Sequence, residues 1–175
     1  MKKVFLIALL LLCTVFIFAQ RQVWMWANQA GGDNVDFGYS IVVDSLGNSY
    51  VTGSFYGNAT FGDVTFTNES TSIWNIFIGK LDPDGNWLWV KQAGSTGSDS
   101  GRSIAIDMDG NCYVLGEFES KVSFGDFSLT SRGQRDIFVA KLDTNGNWIW
   151  DVSGGGDTGV PYFSDSAGNI YLDKD

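Results

Sequence analysis

Short apolar runs alternate with polar turns along most of the chain, and the turns share one pattern. In each turn an Asp is followed three residues later by Gly-Asn, and apolar residues flank it on both sides. Asp accepts backbone N–H bonds and Gly adopts positive φ, so the pattern predicts a tight turn between two antiparallel strands. Five turns are predicted, at Asp44 with Gly47, Asp82 with Gly85, Asp107 with Gly110, Asp143 with Gly146, and Asp165 with Gly168.

The turns belong to a longer repeat that is marked by the pattern Trp-x-Trp. Trp24, Trp87 and Trp148 each open such a pair, and they stand 63 and 61 residues apart. A spacing of this length indicates a repeat architecture. The copies are predicted to run over residues 24–86, 87–147 and 148–175, within a repeat region that covers residues 20–175, and the third copy is incomplete.

Each copy is predicted to contain two hairpins and no helix. In the first copy, residues 39–44 pair with 48–55, and 76–81 pair with 87–91, which begin the next copy. Residues 61–66 form a short fifth strand or an excursion. Apolar side chains fall on both faces of residues 76–81, 87–90 and 104–106, so we expect sheets that are covered on both sides.

Repeated antiparallel sheets that pack on one another describe the blades of a β-propeller. The sequence therefore predicts an all-β fold of tandem four-stranded antiparallel blades, about two and a half in number and incomplete as a ring. A β-solenoid is the alternative. Its coils would need parallel pairing between repeats instead of tight hairpins within them.

The first residues are typical of a signal peptide. Lys2 and Lys3 precede an apolar run that extends from residue 4 to 19 without an acid. The run is short for a spanning helix and ends at Ala19, before Gln20, so residues 1–19 are predicted to be removed on export. Lipidation at Cys13 and an uncleaved anchor are the alternatives, disfavoured because bulky Leu12 precedes the cysteine and no basic flank follows the run.

Composition excludes several classes of function. The chain holds 11 basic and 20 acidic residues, and removal of Lys2 and Lys3 with the signal peptide lowers the net charge from −9 to −11. Nucleic acid is therefore not expected as a partner. The absence of histidine excludes Ser-His-Asp and Cys-His catalysis and the usual zinc sites. Cys112 lies in an apolar run and is predicted to be a buried small hydrophobe.

The repeat resembles the SBBP-type bacterial β-propeller repeat. The resemblance covers about residues 22–172 and rests on the runs at 103–107, 110–114, 136–143 and 146–150. It implies a secreted or cell-surface protein with many tandem repeats and no assigned activity, and it assigns no catalytic residue. Because the third copy stops inside the repeat, we expect either a partial reading frame with further propeller repeats or self-association through unpaired edges.

The tryptophan pairs have two interpretations. Burial between blades is predicted, because leaving large indoles exposed would cost stability. Alternatively, two indoles on one strand face would form a sugar-binding platform. The residues concerned are Trp24, Trp26, Trp87, Trp89, Trp148 and Trp150.

Aspartates in the Gly-rich loops after the Trp-x-Trp strands are candidates for a functional loop surface. They are Asp33, Asp36, Asp99 and Asp157. Paired carboxylates can cleave a glycosidic bond, although solvated loop residues look the same in sequence. The acidic turns at Asp82 and Asp107 begin like calcium loops but offer too few oxygens, so neither a metal nor a cofactor is expected.

The sequence thus favours a non-enzymatic, exported repeat domain that presents loops for contact with an unknown protein or glycan at the cell surface. A carbohydrate-active or carbohydrate-binding propeller, which would use the loop aspartates and the Trp pairs, is the alternative. After removal of residues 1–19 no stretch is long and apolar enough to span a membrane.

Cleavage is predicted between Ala19 and Gln20. The protein recovered outside the cytoplasm should therefore begin at Gln20, as read by N-terminal sequencing or by intact mass. A mass that retains residues 1–19, or a lipid on Cys13, would contradict the signal-peptide interpretation.

Overall fold

Antiparallel hairpins build the whole described structure. The computed structural model describes residues 24–68, 73–156 and 164–173. Within these residues there are eleven strands and no helix. The strands are β1 (Ala30–Gly31), β2 (Asp36–Val43), β3 (Ser49–Tyr56), β4 (Ala59–Phe61), β5 (Val64–Phe66), β6 (Trp74–Leu81), β7 (Trp87–Ser95), β8 (Ser100–Ile106), β9 (Cys112–Phe124), β10 (Phe127–Leu142) and β11 (Trp148–Gly154).

The strands form two four-stranded blades. Blade 1 consists of β2, β3, β6 and β7, and blade 2 of β8, β9, β10 and β11, each strand pairing antiparallel with the next. The predicted hairpins and the all-β fold are therefore confirmed, and the sheet curls as an incomplete propeller. Each Trp-x-Trp strand opens a sequence copy but forms the fourth strand of the preceding blade. The boundary between two blades therefore lies one strand later in the sequence than the boundary between two copies.

A second set of pairings ties consecutive blades together. The end of β7 leaves blade 1 and pairs with β9 of blade 2 through Gly94 opposite Ser123. At the equivalent place before blade 1, β1 pairs with β4, with Gly31 opposite Thr60. The predicted excursion is thus a hairpin, β4 with β5, that receives the strand arriving from the previous blade.

The main core lies between the blades. Tyr50, Ile76 and Ile78 on the back face of blade 1, which is the face toward blade 2, belong to one buried cluster with Val114 and Phe138 of blade 2. A smaller cluster, around Phe55, Phe61 and Phe77, lies on the opposite, front face of blade 1. Blade 1 is thus covered on both sides near its centre, as the apolar runs predict, whereas on the back face of blade 2 Val139 is half-buried and Val152 is exposed. Cys112 is fully buried, and burial raises the pKa of its thiol to about 12.

Four of the predicted turns share one set of hydrogen bonds. At Asp107, one carboxylate oxygen accepts the backbone N–H groups of Asp109 and Asn111 at 3.1 and 2.8 Å, and the other accepts the Asn111 side-chain amide at 2.9 Å. Burial acts to raise the pKa of Asp107, but the bonds from Asn111 and Lys141 outweigh it and hold that pKa below its ordinary value. The turns at Asp44, Asp82 and Asp143 repeat the same three bonds.

The fifth predicted turn, at Asp165 with Gly168, is wrong. The Asp165 N–H donates to the Arg135 carbonyl at 3.0 Å, just as the Asp99 N–H donates to the Trp74 carbonyl at 2.9 Å. The Ile170 N–H then meets the Ser103 hydroxyl as the Ile104 N–H meets that of Ser40. Residues 165–173 share five identities with 44–52 and four with 99–107, and the structure uses the register of 99–107.

The hydrogen bonds of the turn predict that two aspartates of the same turn differ sharply in their effect on stability. Asp107→Ala should lower the free energy of unfolding by about 1–3 kcal/mol, because two half-buried donors of Asn111 and the exposed N–H of Asp109 lose their acceptor. Asp109→Ala, in the same turn, should change it by less than about 0.5 kcal/mol, because the Asp109 side chain is exposed. Urea unfolding followed by tryptophan fluorescence compares the two. Equal effects would contradict the assignment of the turn to Asp107.

Candidate functional site

The two ends of the blades differ in what they carry. The turn end holds the four Asp-x-x-Gly-Asn turns, which join the first strand to the second and the third to the fourth. The connection end holds the links from one blade to the next and the excursions between the second and third strands. Loops on such scaffolds commonly carry function.

Comparison of the two blades separates structural from variable positions. At the turn end the blades agree, with Asp44, Gly47 and Asn48 matching Asp107, Gly110 and Asn111. At the connection end they differ, although the strands pair alike. Blade 1 has Phe37, Tyr39, Ser54, Tyr56 and Trp74 where blade 2 has Ser100, Arg102, Glu117, Glu119 and Arg135. Since the backbone is shared, folding alone does not account for these differences.

Four rings form an aromatic cluster at the connection end of blade 1, made of Phe37, Tyr39, Tyr56 and Trp74. Phe37 stacks on Tyr39 and on Trp74, with ring centroids 5.7 and 5.4 Å apart. Trp74 then meets Tyr56 at 5.3 Å. Phe37 and Tyr39 are 44% and 39% exposed, so the cluster presents an apolar surface to solvent.

The matching positions of blade 2 form an ionic cluster of Arg102, Glu117, Glu119 and Arg135. The Glu117 carboxylate lies 3.2 Å from Arg102 and 3.3 Å from Arg135, and Arg135 also reaches Glu119. Glu117 is buried. Burial acts to raise the pKa of Glu117, but hydrogen bonds from the Ala167 N–H and from Arg102 outweigh it, so that pKa lies below its ordinary value.

The two clusters are joined by a cation–π contact. The Arg102 guanidinium lies over the Tyr39 ring at 4.7 Å. Tyr39 and Arg102 occupy the same bulge in the first strand of their blades, between Gly38 and Ser40 and between Gly101 and Ser103. The bulge turns both side chains out of the ladder, toward each other across the blade junction. The site can therefore stack on an aromatic or cationic ligand and form ion pairs with a charged one.

Among the predicted loop aspartates that the structure describes, Asp36 and Asp99 hold equivalent places in different blades and do not form a carboxylate pair. Asp99 is fully buried, and its carboxylate accepts the Glu119 N–H at 3.3 Å. Asp36 holds the equivalent place in blade 1 and accepts the N–H groups of Gly32 and Tyr56. Both carboxylates therefore fasten a connection to its blade. Asp33 is exposed, and Asp157 lies outside the described residues.

A bulge separates the two indoles of each tryptophan pair. Trp89 lies opposite Lys80, whereas Trp87 lies opposite Leu81, so Leu88 is extra and the two rings point to opposite faces. Trp87 packs on Phe61 in the front cluster of blade 1, and Trp89 packs on Tyr50 in the cluster between the blades. A shared sugar platform is thus contradicted.

The prediction that all six tryptophans are buried is correct only in part. Trp87, Trp89 and Trp148 are half-buried and pack against the two clusters. Trp24 is 94% exposed, and Trp26 and Trp150 are also exposed. Trp24 and Trp26 precede β1 and form no strand, and Trp150 lies in β11, so the described residues place no neighbouring blade against these three.

No metal centre is formed within the described residues, where three or more carboxylate or cysteine groups do not converge anywhere. The oxygens of the acidic turns are occupied by backbone N–H groups, as at Asp107. The same part of the chain contains no helix long and apolar enough to cross a membrane.

Sequence reasoning missed both clusters, because it searched for features that the copies share. The signal was present in the differences. Aligning 37–39 with 100–102 sets an aromatic pair against Ser100 and Arg102, and aligning residue 74 with 135 sets Trp against Arg. Where a scaffold repeats, such differences mark positions that the fold does not fix.

Fold and repeat together define an all-β protein built from propeller blades. The family model of the beta-propeller repeat, SBBP, matches residues 26–58 and 88–117, which confirms the resemblance drawn from the sequence. The chain is also 27% identical to an uncharacterized WD repeat-containing protein of Acanthamoeba polyphaga mimivirus. That match covers 73% of this chain and 10% of the relative, so the chain spans about a tenth of the relative's length.

The lowered pKa of Glu117 predicts a pH dependence of stability. Its contribution should be complete above the ordinary pKa of 4.5 and should be lost as the pH falls through the lower pKa of the folded state. Glu117→Gln should be less stable at neutral pH by about 1–3 kcal/mol, since Arg102 and Arg135 lose a buried charge partner. It should also lose less stability than the wild type on acidification.

Urea unfolding between neutral pH and about pH 3 measures both effects. Asp126→Asn is the control, because Asp126 is exposed and should leave the pH profile of the wild type unchanged. An identical acid dependence in the wild type and in Glu117→Gln would show that the ionic cluster does not stabilise the fold.

Proposed function

We infer that this chain is a non-enzymatic repeat scaffold, exported to the cell surface or secreted, that binds a partner protein through the connection end of its blades. The aromatic cluster carries the proposal. It is exposed in spite of its apolar composition, and it lies where the two blades differ.

The composition of the joined clusters favours a protein partner. Protein interfaces are enriched in aromatic residues and Arg, and a few such residues supply most of the binding energy. Phe37, Tyr39 and Arg102 form such a group, and Phe37 brings no polar atom with which to bind a sugar hydroxyl. The similarity to a WD repeat-containing protein supports a scaffold in the same way.

A non-enzymatic role is supported by two observations. The sequence contains no histidine, and the buried Asp99 carboxylate already has a backbone partner. Export is supported by the N-terminal run that ends at Ala19. Neither the non-enzymatic role nor export depends on the aromatic cluster. Each of the three parts of the proposal can therefore be disproved without affecting the other two.

Partner binding predicts that Phe37→Ala with Tyr39→Ala will weaken attachment to the natural partner by about tenfold or more. To detect the partner, a photo-reactive residue replaces Tyr39, and the chain is irradiated on the producing cells. A discrete protein adduct is expected from position 39. The matched control carries the same group at Met108, an exposed position in a turn at the opposite end.

Three outcomes would overturn the proposal. Adducts of equal yield from positions 39 and 108 would indicate nonspecific contact. Absence of any adduct would exclude a protein at this end. Binding to a glycan array that the double variant abolishes would assign the same surface to a glycan.

A further inference from the structure

Arg102 makes fewer bonds than the other arginine of the ionic cluster. Within the described residues its single hydrogen bond runs from Nη2 to the Glu117 carboxylate at 3.2 Å, although a guanidinium group carries five N–H donors. Arg135 bonds to two carboxylates, those of Glu117 and Glu119. The Nε atom of Arg102 is buried without an acceptor, so the donors left for a ligand are at the outer end of the group. Arg102 therefore keeps hydrogen-bonding capacity that the fold does not use.

The repeat leaves one side of Arg102 uncovered. Arg102 lies over the face of Tyr39, and the two residues hold the same position in β8 and β2, the first strands of their blades. Residues 165–173 take the corresponding place behind blade 2, in the register of 99–107, and have Gly168 at this position. A Cβ on Gly168 would meet no atom within 4 Å. Residue 168 thus supplies no side chain to cover Arg102 as Arg102 covers Tyr39.

The charges that reach the surface beside Arg102 are mainly positive. The Glu117 side chain is 4% exposed, whereas those of Arg102, Arg135 and Glu119 are 31, 29 and 32% exposed. The ionic cluster therefore presents two guanidinium groups and one carboxylate to solvent, in a chain whose net charge is −9. Charge complementarity favours an anionic group at this place, and the planar guanidinium group matches the geometry of a carboxylate.

The aromatic cluster supplies the apolar half of the same surface. Phe37 and Tyr39 are exposed side by side, with ring centroids 5.7 Å apart, and the Arg102 guanidinium lies 4.7 Å from the Tyr39 ring. In an extended peptide, residues two apart lie on the same side at a distance of about 7 Å. An apolar side chain that packs on the two rings would thus bring the side chain two residues later within reach of Arg102.

We propose that the partner presents an extended segment with the pattern apolar-x-acid. Its apolar side chain packs on Phe37 and Tyr39, and its carboxylate pairs with Arg102. This inference rests on the proposed function, because it names the chemistry of the partner that binds there. Arg102 is then the residue that determines specificity, since a basic side chain at the acidic position of the segment would be repelled.

Short peptides with blocked ends test this pattern. Gly-Phe-Ser-Asp-Ala carries both the ring and the acid, Gly-Phe-Ser-Asn-Ala lacks the charge, and Gly-Ala-Ser-Asp-Ala lacks the ring. Amide NMR spectra of the isotope-labelled chain, recorded up to millimolar peptide, give the affinity and the place of binding. The first peptide should shift the signals of Phe37, Tyr39 and Arg102, and should bind about three- to tenfold more tightly than each of the others. Added salt should reduce its advantage over the Asn peptide.

Two variants of the chain locate the charge that is recognised. Arg102→Gln should bind the Asp and Asn peptides equally, because the positive charge is lost while the amide can still donate to Glu117. Lys121→Gln is the matched control, since it removes the same charge from an exposed residue outside both clusters and should keep the preference of the wild type. The same spectra verify that each variant is folded. If Arg102→Gln does not fold, the comparison of the peptides on the wild type decides.

Three outcomes would each overturn the proposal. The wild type could bind the Asp and Asn peptides equally. The first peptide could shift only signals away from Phe37, Tyr39 and Arg102, or no signal at all. Glucuronic acid could bind at Arg102 more tightly than the first peptide, which would assign this residue to an acidic sugar. A protein adduct from position 39 together with any of these results would leave the proposed function standing and reject only the apolar-x-acid pattern.

Discussion

Burial of both faces of every sheet is the constraint on which this structure depends. A four-stranded sheet whose strands are apolar on both sides is stable only between two neighbours. Blade 1 meets the constraint at its back, where Tyr50 and Ile78 join the core of blade 2. On its front, the described residues supply the cluster around Phe61 and the segment that holds Trp26. The same requirement that builds the core between the blades therefore leaves the outer faces of the pair incomplete.

The turn carboxylates meet a second requirement, which is that backbone N–H groups find hydrogen-bond acceptors. Each turn exposes N–H groups that a neighbouring strand does not pair, and one Asp side chain accepts two of them, as Asp143 does from Asn145 and Asn147. The turn end is thus determined by chemistry within five residues, which explains why the copies agree there. The connection end has no such local rule. Its side chains can change from Phe37 and Trp74 to Ser100 and Arg135 while the strand pairing stays the same.

The features predicted correctly are those that local sequence determines. The hairpins at 39–55 and 76–91 follow from a turn pattern and the apolar runs beside it. The faces on which Trp87 and Trp89 lie do not follow from local sequence. The bulge at Leu88, which sets these faces, depends on the register between β7 and β6. Asp165 illustrates a different limit. Its neighbours match two parts of the repeat almost equally well, and contacts with Arg135 and Ser103, far away in sequence, select the register. The ionic cluster at the connection end also joins positions far apart in sequence, such as Arg102 and Glu117, which are separated by 15 residues.

Repetition of the blade separates two kinds of position. Where copies agree, the shared contact shows what the fold requires, as the turn bonds of Asp44 and Asp107 do. Where copies differ on one backbone, the difference indicates a role that the fold does not require, as for Tyr39 against Arg102. Residues that agree between the copies are therefore informative about how blades pack, and residues that differ are informative about what the protein recognises. The turn end serves the first, and the connection end serves the second.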